Sequence, residues 1–268
     1  MTYSRFSGRA ATLYTLLALG YAFLYLPILL LVIYSFNASR LVTVWGGFST
    51  HWYGELIHDD KVLSAAWLSV KVAVCTATLA TFLGTLASVL LVRFKRYPGG
   101  TLFAGMVAAP LVMPEIITGL AMLLMFVAME QTIGWPSGRS MTTIVIAHVT
   151  FCMSFVTVVV RSRLAQMDMS LEEAAMDLGA RPFKVFMVIT LPLISPALLA
   201  GWLLAFTLSI DDLVISSFVT GPSATTLPIV IFSKVRLGVS PEINALASVF
   251  VAFVGCAIAL GGTLSRKN

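Results

Sequence analysis

The sequence predicts an all-α integral membrane protein: six transmembrane helices in a single domain covering residues 1–268, with one short helix on the cytoplasmic side between the fourth and fifth spans. Three observations carry this. Hydrophobic residues make up 59% of the chain and charged residues 11%, where soluble domains carry roughly a quarter charged; the mean hydropathy is +0.95. A bilayer-crossing helix needs roughly 20 apolar residues, and the 268 residues accommodate about six such runs with short loops, leaving little for an extramembrane domain. The basic residues, net charge +5, flank those runs instead of forming a patch, which is what membrane topology requires and which gives no footing to nucleic acid.

Taken in order, the first span, about 12–35, follows Arg5 and Arg9. Its apolar stretch exceeds the roughly 7–15 residues of a signal-peptide core and no A-x-A site follows, so it reads as a retained helix. The second, about 64–92, carries the small residues Ala80, Gly84 and Ser88 in a row suited to close helix approach. The third, about 102–129, contains Pro110 and Pro114, which remove backbone donors and kink a helix. The fourth is about 141–160, the fifth about 192–213, and the sixth, about 243–263, has a second small row, Ser248, Ala252 and Cys256. Each row serves either an intramolecular or a subunit seam. No repeat of fixed period occurs. Cys75, Cys152 and Cys256 lie in apolar runs without pairing or ligand spacing, so they read as packing residues, with no disulfide framework and no metal site.

Lys and Arg counts set the orientation. With the N-terminus inside, the inner set is Arg5, Arg9, Arg93, Lys95, Arg96, Arg161, Arg163, Arg181, Lys184, Arg266 and Lys267, eleven residues, and the outer set is Arg40, Lys61, Arg139, Lys234 and Arg236, five. The positive-inside rule therefore places both termini in the cytoplasm. The polar stretch Arg161–Leu191 then faces the cytoplasm. Within it, Ser170 and Glu173 have capping-box spacing, and Gly179 supplies the residue type that ends a helix in the left-handed conformation, with Pro182 beyond. A helix of about two turns over 171–179 results, with a smooth alanine patch beside a carboxylate. Two readings stand for it: an amphipathic helix lying on the inner membrane face, or a docking surface for another protein.

The same residues spell Glu173-Ala174-Ala175, three residues, Gly179, nine residues, Ile189, one residue, Leu191-Pro192. This resembles the E-A-A-x3-G-x9-I-x-L-P signature of the membrane subunits of bacterial ABC importers, with every specified position matched. The resemblance implies a type I ABC importer permease fold in the bacterial inner membrane, in which residues 171–179 form the coupling helix that docks into a cytoplasmic ATPase. It implies that Glu173 makes polar contacts there, that Ala174 and Ala175 permit close approach, and that Gly179 provides the turn, with Leu191 and Pro192 completing the motif. More narrowly, the stretches Leu26–Leu56, Ala109–Leu120 ("APLVMPEIITGL"), Glu172–Ala180 ("EEAAMDLGA") and Thr207–Ile229 are similar to the polyamine branch, the second permease subunit of putrescine and spermidine importers, and most to its putrescine type. Beside such members the tail ending at Asn268 looks short. The partners the resemblance implies are a homologous second permease, two copies of an ABC ATPase and a periplasmic polyamine-binding protein, with membrane lipid around the spans. ATP and Mg would be bound by the ATPase; this chain itself carries no cofactor.

Ionisable side chains within spans are functional candidates by default: Lys71, Glu115, Asp211 and Asp212. Glu115 follows two prolines that leave carbonyls free to line a cavity. Asp211 and Asp212 repel one another unless a cation or water lies nearby. Acidic groups suit a dicationic amine, whereas an anion calls for arginine, and none lies in the six cores. The alternatives stay open: the aspartates as solvated interfacial residues, and Glu115 as the partner of Lys71. His148 reads as a hydrogen-bonded packing residue, Met106, Met113, Met122 and Met125 as packing, and Trp45, Trp52, Trp67 and Trp135 as an interfacial belt. No G-x-x-x-x-G-K-[ST] occurs, so the chain has no P-loop, and no catalytic constellation appears; the chain is not an enzyme. The expected function is ATP-driven polyamine import, putrescine first, with spermidine or another small solute, or a stand-alone carrier of organic cations, as alternatives.

Overall fold

The computed structural model describes residues 3–41, 44–94, 97–222, 224–237 and 241–252. Helices follow one another along the chain: α1 (Tyr3–Tyr34), α2 (His51–His58), α3 (Asp60–Arg93), α4 (Gly100–Val112), α5 (Glu115–Ile133), α6 (Met141–Ala165), α7 (Ser170–Asp177), α8 (Pro182–Val185), a π turn (Phe186–Thr190), α9 (Leu191–Ile210), α10 (Val214–Val219) and α11 (Leu227–Leu237). A further apolar helix, α12, spans Pro241–Ala252. Among the described residues the only extended pairing is an isolated bridge between Asn37 and Phe48. Five stretches among the described residues are long and apolar enough to cross a membrane: Ala10–Tyr34, Asp60–Arg93, Glu115–Ile133, Met141–Ala165 and the continuous α8–π–α9 rod Pro182–Ile210. The sixth expected span is described as far as Ala252; residues 253–263, with Cys256, lie outside the described residues.

Two of the expected spans differ from a plain helix. The third is broken outright into α4 and α5, because Met113 takes an extended conformation (φ −77°, ψ 136°) ahead of Pro114, the backbone choice that a following proline enforces. The fifth begins about ten residues early and contains the π turn. The stretch 216–242, expected as a connection, contains α11 and the last residues of α10, whose apolar runs are too short to register as spans.

The chain divides into two compact units, Met1–Leu63 with Ile231–Asn268, and Ser64–Val230. In the second, α6 is the central rod. Its residues Ile144, Ala147, Val156 and Val160 are fully buried, as a helix hydrophobic on all sides must be when it lies in the middle of a bundle. It packs against α4, α5, α9 and α10. Glycines set the distances: a Cβ on Gly84 of α3 would lie 2.9 Å from Cγ1 of Val156, and one on Gly201 of α9 would lie 3.1 Å from the same atom. Val156 is thus gripped by two helices at points where neither has a side chain. Beside it, the Ser88 hydroxyl sits 2.7 Å from the Gly84 carbonyl and 3.0 Å from that of Thr157 on α6. The Ala80–Gly84–Ser88 row is therefore an intramolecular seam.

In the first unit, Asn37 organises the turn after α1. Its side chain donates to the Val44 carbonyl (2.8 Å) and accepts from the Gly46 amide (2.7 Å). The Trp52 indole donates to the Asn37 carbonyl at 2.6 Å and Trp52 is buried; it is a core residue of this unit and not a member of an interfacial belt. The Lys234 ammonium pairs with Asp59 (2.7 Å) and Glu242 (3.1 Å). Burial works against the charge on Lys234, yet the hydrogen bonds it donates to both carboxylates raise its pKa above the usual lysine range.

The α3–α6 seam yields a direct stability test. Gly84→Leu should destabilise the protein by about 1–3 kcal/mol, the cost of overpacking a close helix contact, whereas Gly105→Leu in α4, where an added Cβ meets nothing within 4 Å, should be neutral. Thermal melts in detergent compare the two; equal melting temperatures would refute the seam.

Candidate functional site

Two places in the second unit gather the polar residues singled out in the sequence. The first is α7. It starts at Ser170, with Met169 ahead of it, and makes no side-chain cap; the capping box expected from Ser170 and Glu173 does not form. The reason is that Asp168 takes the free amide instead: its carboxylate accepts from the Ser170 N–H at 3.0 Å. That bond holds the Asp168 carboxyl below the usual carboxylate range, so this support of α7 is present above the ordinary aspartate pKa and is lost as pH falls through the lowered value. The helix ends at Asp177 in a Schellman motif: Gly179 has φ +85°, its amide bonds the Met176 carbonyl (2.8 Å), and the Ala180 amide bonds that of Ala175 (3.1 Å).

Adjacent residues on a helix point about 100° apart, so Glu172 and Glu173 face different surroundings. Glu173 and Ala174 are exposed and Ala175 is half-buried. Leu171, Met176, Leu178 and Phe183 are exposed apolar neighbours, Leu178 at 90%. α7 itself has no buried residue. Glu172 turns inward: its Oε1 receives the Arg93 guanidinium at 2.5 Å and the Thr190 hydroxyl at 2.6 Å, and Arg93 also contacts the Met169 sulfur. In the sequence Arg93 counts only toward topology, and neither Glu172 nor Thr190 stands out. The available signal was the pair of adjacent glutamates on so short a helix, of which one must face the bundle, with an arginine closing the second span. Leu191 and Pro192 start α9 directly after the π turn, Leu191 half-buried and Pro192 exposed.

The second place is the break between α9 and α10. α9 stops at Ile210, Asp211 caps it, and α10 begins at Val214. The two aspartates diverge. Asp212 is inward, and both oxygens are engaged: Oδ2 with the Ser216 amide (2.7 Å) and His148 Nε2 (3.1 Å), Oδ1 with the Ile215 amide (3.3 Å). These are free amides of the first turn of α10, which have no partner within the helix. His148 on α6 is buried at 1% and also meets Ser209 Oγ at 2.8 Å and Ser216 Oγ at 3.0 Å. One imidazole thus joins α6, the end of α9 and the start of α10. Asp211, by contrast, is exposed. Glu115 is the first residue of α5, after Pro114, and is exposed, in the first turn, where the helix dipole favours a carboxylate. Lys71 lies 5.2 Å above the Trp67 ring. Among the described residues no ion pair joins Lys71 to Glu115 or to either aspartate, and no cluster of three His, Cys, Asp or Glu is spaced to hold a metal.

What this arrangement offers is a lightly held external helix tied by one carboxylate to two spans, and mid-chain helix ends presenting acidic groups, with the Ser209–His148–Asp212 contacts buried between α6, α9 and α10. Comparison with known proteins agrees in kind. The family described as binding-protein-dependent transport system inner membrane component matches residues 80–266. The chain is 63% identical over 240 residues to the putrescine transport system permease protein PotI of Escherichia coli strain K12, covering 90% of this chain and 85% of that protein. It is 45% identical over 231 residues to the spermidine/putrescine transport system permease protein PotC of the same strain, covering 86% and 85%. It is also 41% identical over 265 residues to PotC of Haemophilus influenzae, covering 99% of both. The crystal structure of a bacterial ABC transporter involved in the import of the acidic polysaccharide alginate contains a chain of the same fold, with TM-score 0.73 over 99% of this chain and 98% of that one at 17% identity.

The His148 network should be worth more than its neighbour's charge. His148→Leu leaves Asp212 buried without its partner and should cost about 3–5 kcal/mol, the scale for breaking a buried pair from one side. Asp211→Asn, at an exposed site, should leave stability unchanged. Unfolding midpoints in detergent decide the comparison, and a His148→Leu protein as stable as wild type would contradict the network.

Proposed function

The chain belongs to the family of binding-protein-dependent transport system inner membrane components, and from that premise we propose that it is a permease subunit of an ATP-driven polyamine importer with putrescine as its first cargo. The observation that carries the cargo is the 63% identity to a putrescine permease along nine-tenths of the chain, against 45% to a spermidine/putrescine permease. As a permease of this family the chain is a translocation component and not an enzyme.

In the mechanism we propose, both termini and α7 lie on the cytoplasmic side, and α7 is the coupling helix. Glu173 reaches a cleft on a cytoplasmic ATPase, Ala174 and Ala175 let the two surfaces approach closely, and the Schellman turn at Gly179 sends the chain back to the Leu191–Pro192 start of α9. The exposed apolar side chains around α7, such as Leu178 and Phe183, supply contact area for that docking. A homologous second permease completes the pathway; α1, whose apolar window has no buried residue within this chain, is a surface it would cover. Two ATPases bind ATP and Mg beneath, and a periplasmic polyamine-binding protein delivers from above.

Glu115 and Asp211 carry the pathway's selectivity for cations. A dication leaving water needs carboxylates to offset its lost hydration, and exposed acidic groups at interrupted helix ends meet that need where a pathway crosses the bilayer. Asp212 supports from behind, its oxygens committed to His148 and to α10, so that the site's form persists while Asp211 remains free for an ammonium group.

Uptake of labelled putrescine, with unlabelled spermidine as competitor, tests this in cells lacking the gene and resupplied with it together with its ATPase, second permease and binding protein. Uptake should return only when the ATPase is present. Gly179→Asp should abolish it with the protein still in the membrane, since a side chain at φ +85° strains the turn that ends α7 and displaces the docking surface, although an added Cβ meets nothing else in this chain. Asp211→Asn should lower uptake at low putrescine by about tenfold, the loss of one charge-assisted contact to an ammonium group. Normal uptake in Gly179→Asp would overturn the coupling assignment, and normal uptake in Asp211→Asn the cation site.

A further inference from the structure

A coupling helix has to move the spans, and α7 has little packing with which to do so: it contains no fully buried residue. Behind it, bordered by Val89, Arg93, Glu172, Met176, Phe186 and Thr190, is a cavity of about 250 Å³. With an open groove of that size along part of its inner side, α7 meets the bundle over only part of its length, and van der Waals contact decays within a fraction of an ångström. Its polar tether is a different matter. Oε1 of Glu172 accepts at once from the Arg93 guanidinium (2.5 Å) and from the Thr190 hydroxyl (2.6 Å). Arg93 is the last residue of α3, and Thr190 is the last residue of the π turn, itself buried at 2% and followed directly by α9. Three elements meet at one oxygen.

The side chains of Arg93 and Glu172 are only 15% and 13% exposed, so the pair is largely withdrawn from solvent and its directional bonds are stronger than those of a surface pair. The π turn adds a second property. The amide of Leu191 bonds back to Phe186, a five-residue step, just where Pro192 has no amide to offer. A π turn inside an α-helix carries an extra residue, and the ladder can relax by one position there. Pulling on Thr190 therefore acts at the point of the Pro182–Ile210 rod where the backbone has an alternative register.

We infer that Glu172 is the positioning residue of energy coupling: by holding Arg93 and Thr190 on one carboxylate oxygen it delivers displacement of α7 to the end of α3 and, through the π turn, to the start of α9. This rests on the reading of α7 as the ATPase-docking helix. It assigns Glu172 a role separate from that of Glu173, which faces outward to the partner.

The test uses the assembled transporter, this chain with its second permease, ATPase and binding protein, in proteoliposomes, with ATP hydrolysis and putrescine uptake measured on the same preparation. The readout is putrescine transported per ATP hydrolysed. Glu172→Gln keeps size and one acceptor but loses the charge; Thr190→Val removes one hydroxyl and is a second, milder probe. Both should assemble and hydrolyse ATP like wild type. Transport per ATP should fall about tenfold for Glu172→Gln, the effect of one lost charge-assisted hydrogen bond, and less for Thr190→Val. Arg93→Lys, retaining the charge, should recover part of the ratio relative to Arg93→Ala. An unchanged ratio in both Glu172→Gln and Thr190→Val would overturn the inference, as would hydrolysis and uptake falling in parallel, which marks mere structural support. A wild-type complex that hydrolyses ATP without moving polyamine would instead be a failure of the functional reading, visible before any variant is made.

Discussion

Lipid offers a backbone no hydrogen-bond partner, so every interruption of a spanning helix has to be satisfied from within the chain, and the organisation of this protein follows from how three interruptions are met. At Met113–Pro114 the break falls where proline has no donor to lose, and Glu115 follows at the new helix start. At Phe186–Thr190 the ladder is not broken but shifted, and the Thr190 hydroxyl is spent on Glu172. At Asp211–Leu213 the free amides of α10 are taken by Asp212, which is in turn held by His148. Two of the three interruptions, those at Pro114 and at Asp211–Leu213, leave an acidic group at a helix end.

Rigidity and lightness are divided between elements. Around α6 the helices approach until only glycine fits, with Val156 held between Gly84 and Gly201, and such close-packed interiors transmit strain instead of absorbing it. α7 is the opposite: short, with no buried side chain, begun by the Asp168 bond to Ser170 and finished by the Gly179 turn. A lightly seated helix joined to stiff rods by a few directed bonds is a lever geometry, and it suits an element whose position is set by a separate protein.

Much of this was legible in the sequence, for stated reasons. Composition and run length disclose a membrane protein because burying charge in hydrocarbon is costly, and Gly179 discloses the end of α7 because few other residues take φ +85° there. The helical class and the family of transport components followed from the same residues. What was not legible depended on contacts between residues far apart in the chain. The choice of Glu172 over Glu173 for the inward face required knowing that Arg93 and Thr190 lie beside α7. The commitment of Asp212 required His148, placed next to it only by the packing of α6. Ser170 lost its expected capping role because Asp168, two residues earlier, competes for the same amide, and Trp52 left the expected belt because Asn37 folds the preceding turn around it.

The central claim is that ATP hydrolysis by a partner, and not the membrane potential, drives polyamine through this chain. Accumulation of labelled putrescine in proteoliposomes containing the assembled transporter and its binding protein, held at zero membrane potential, tests it most directly. The account predicts accumulation that requires ATP on the side of α7 and stops when hydrolysis is blocked. Accumulation that follows an imposed inside-negative potential in the absence of ATP would contradict it.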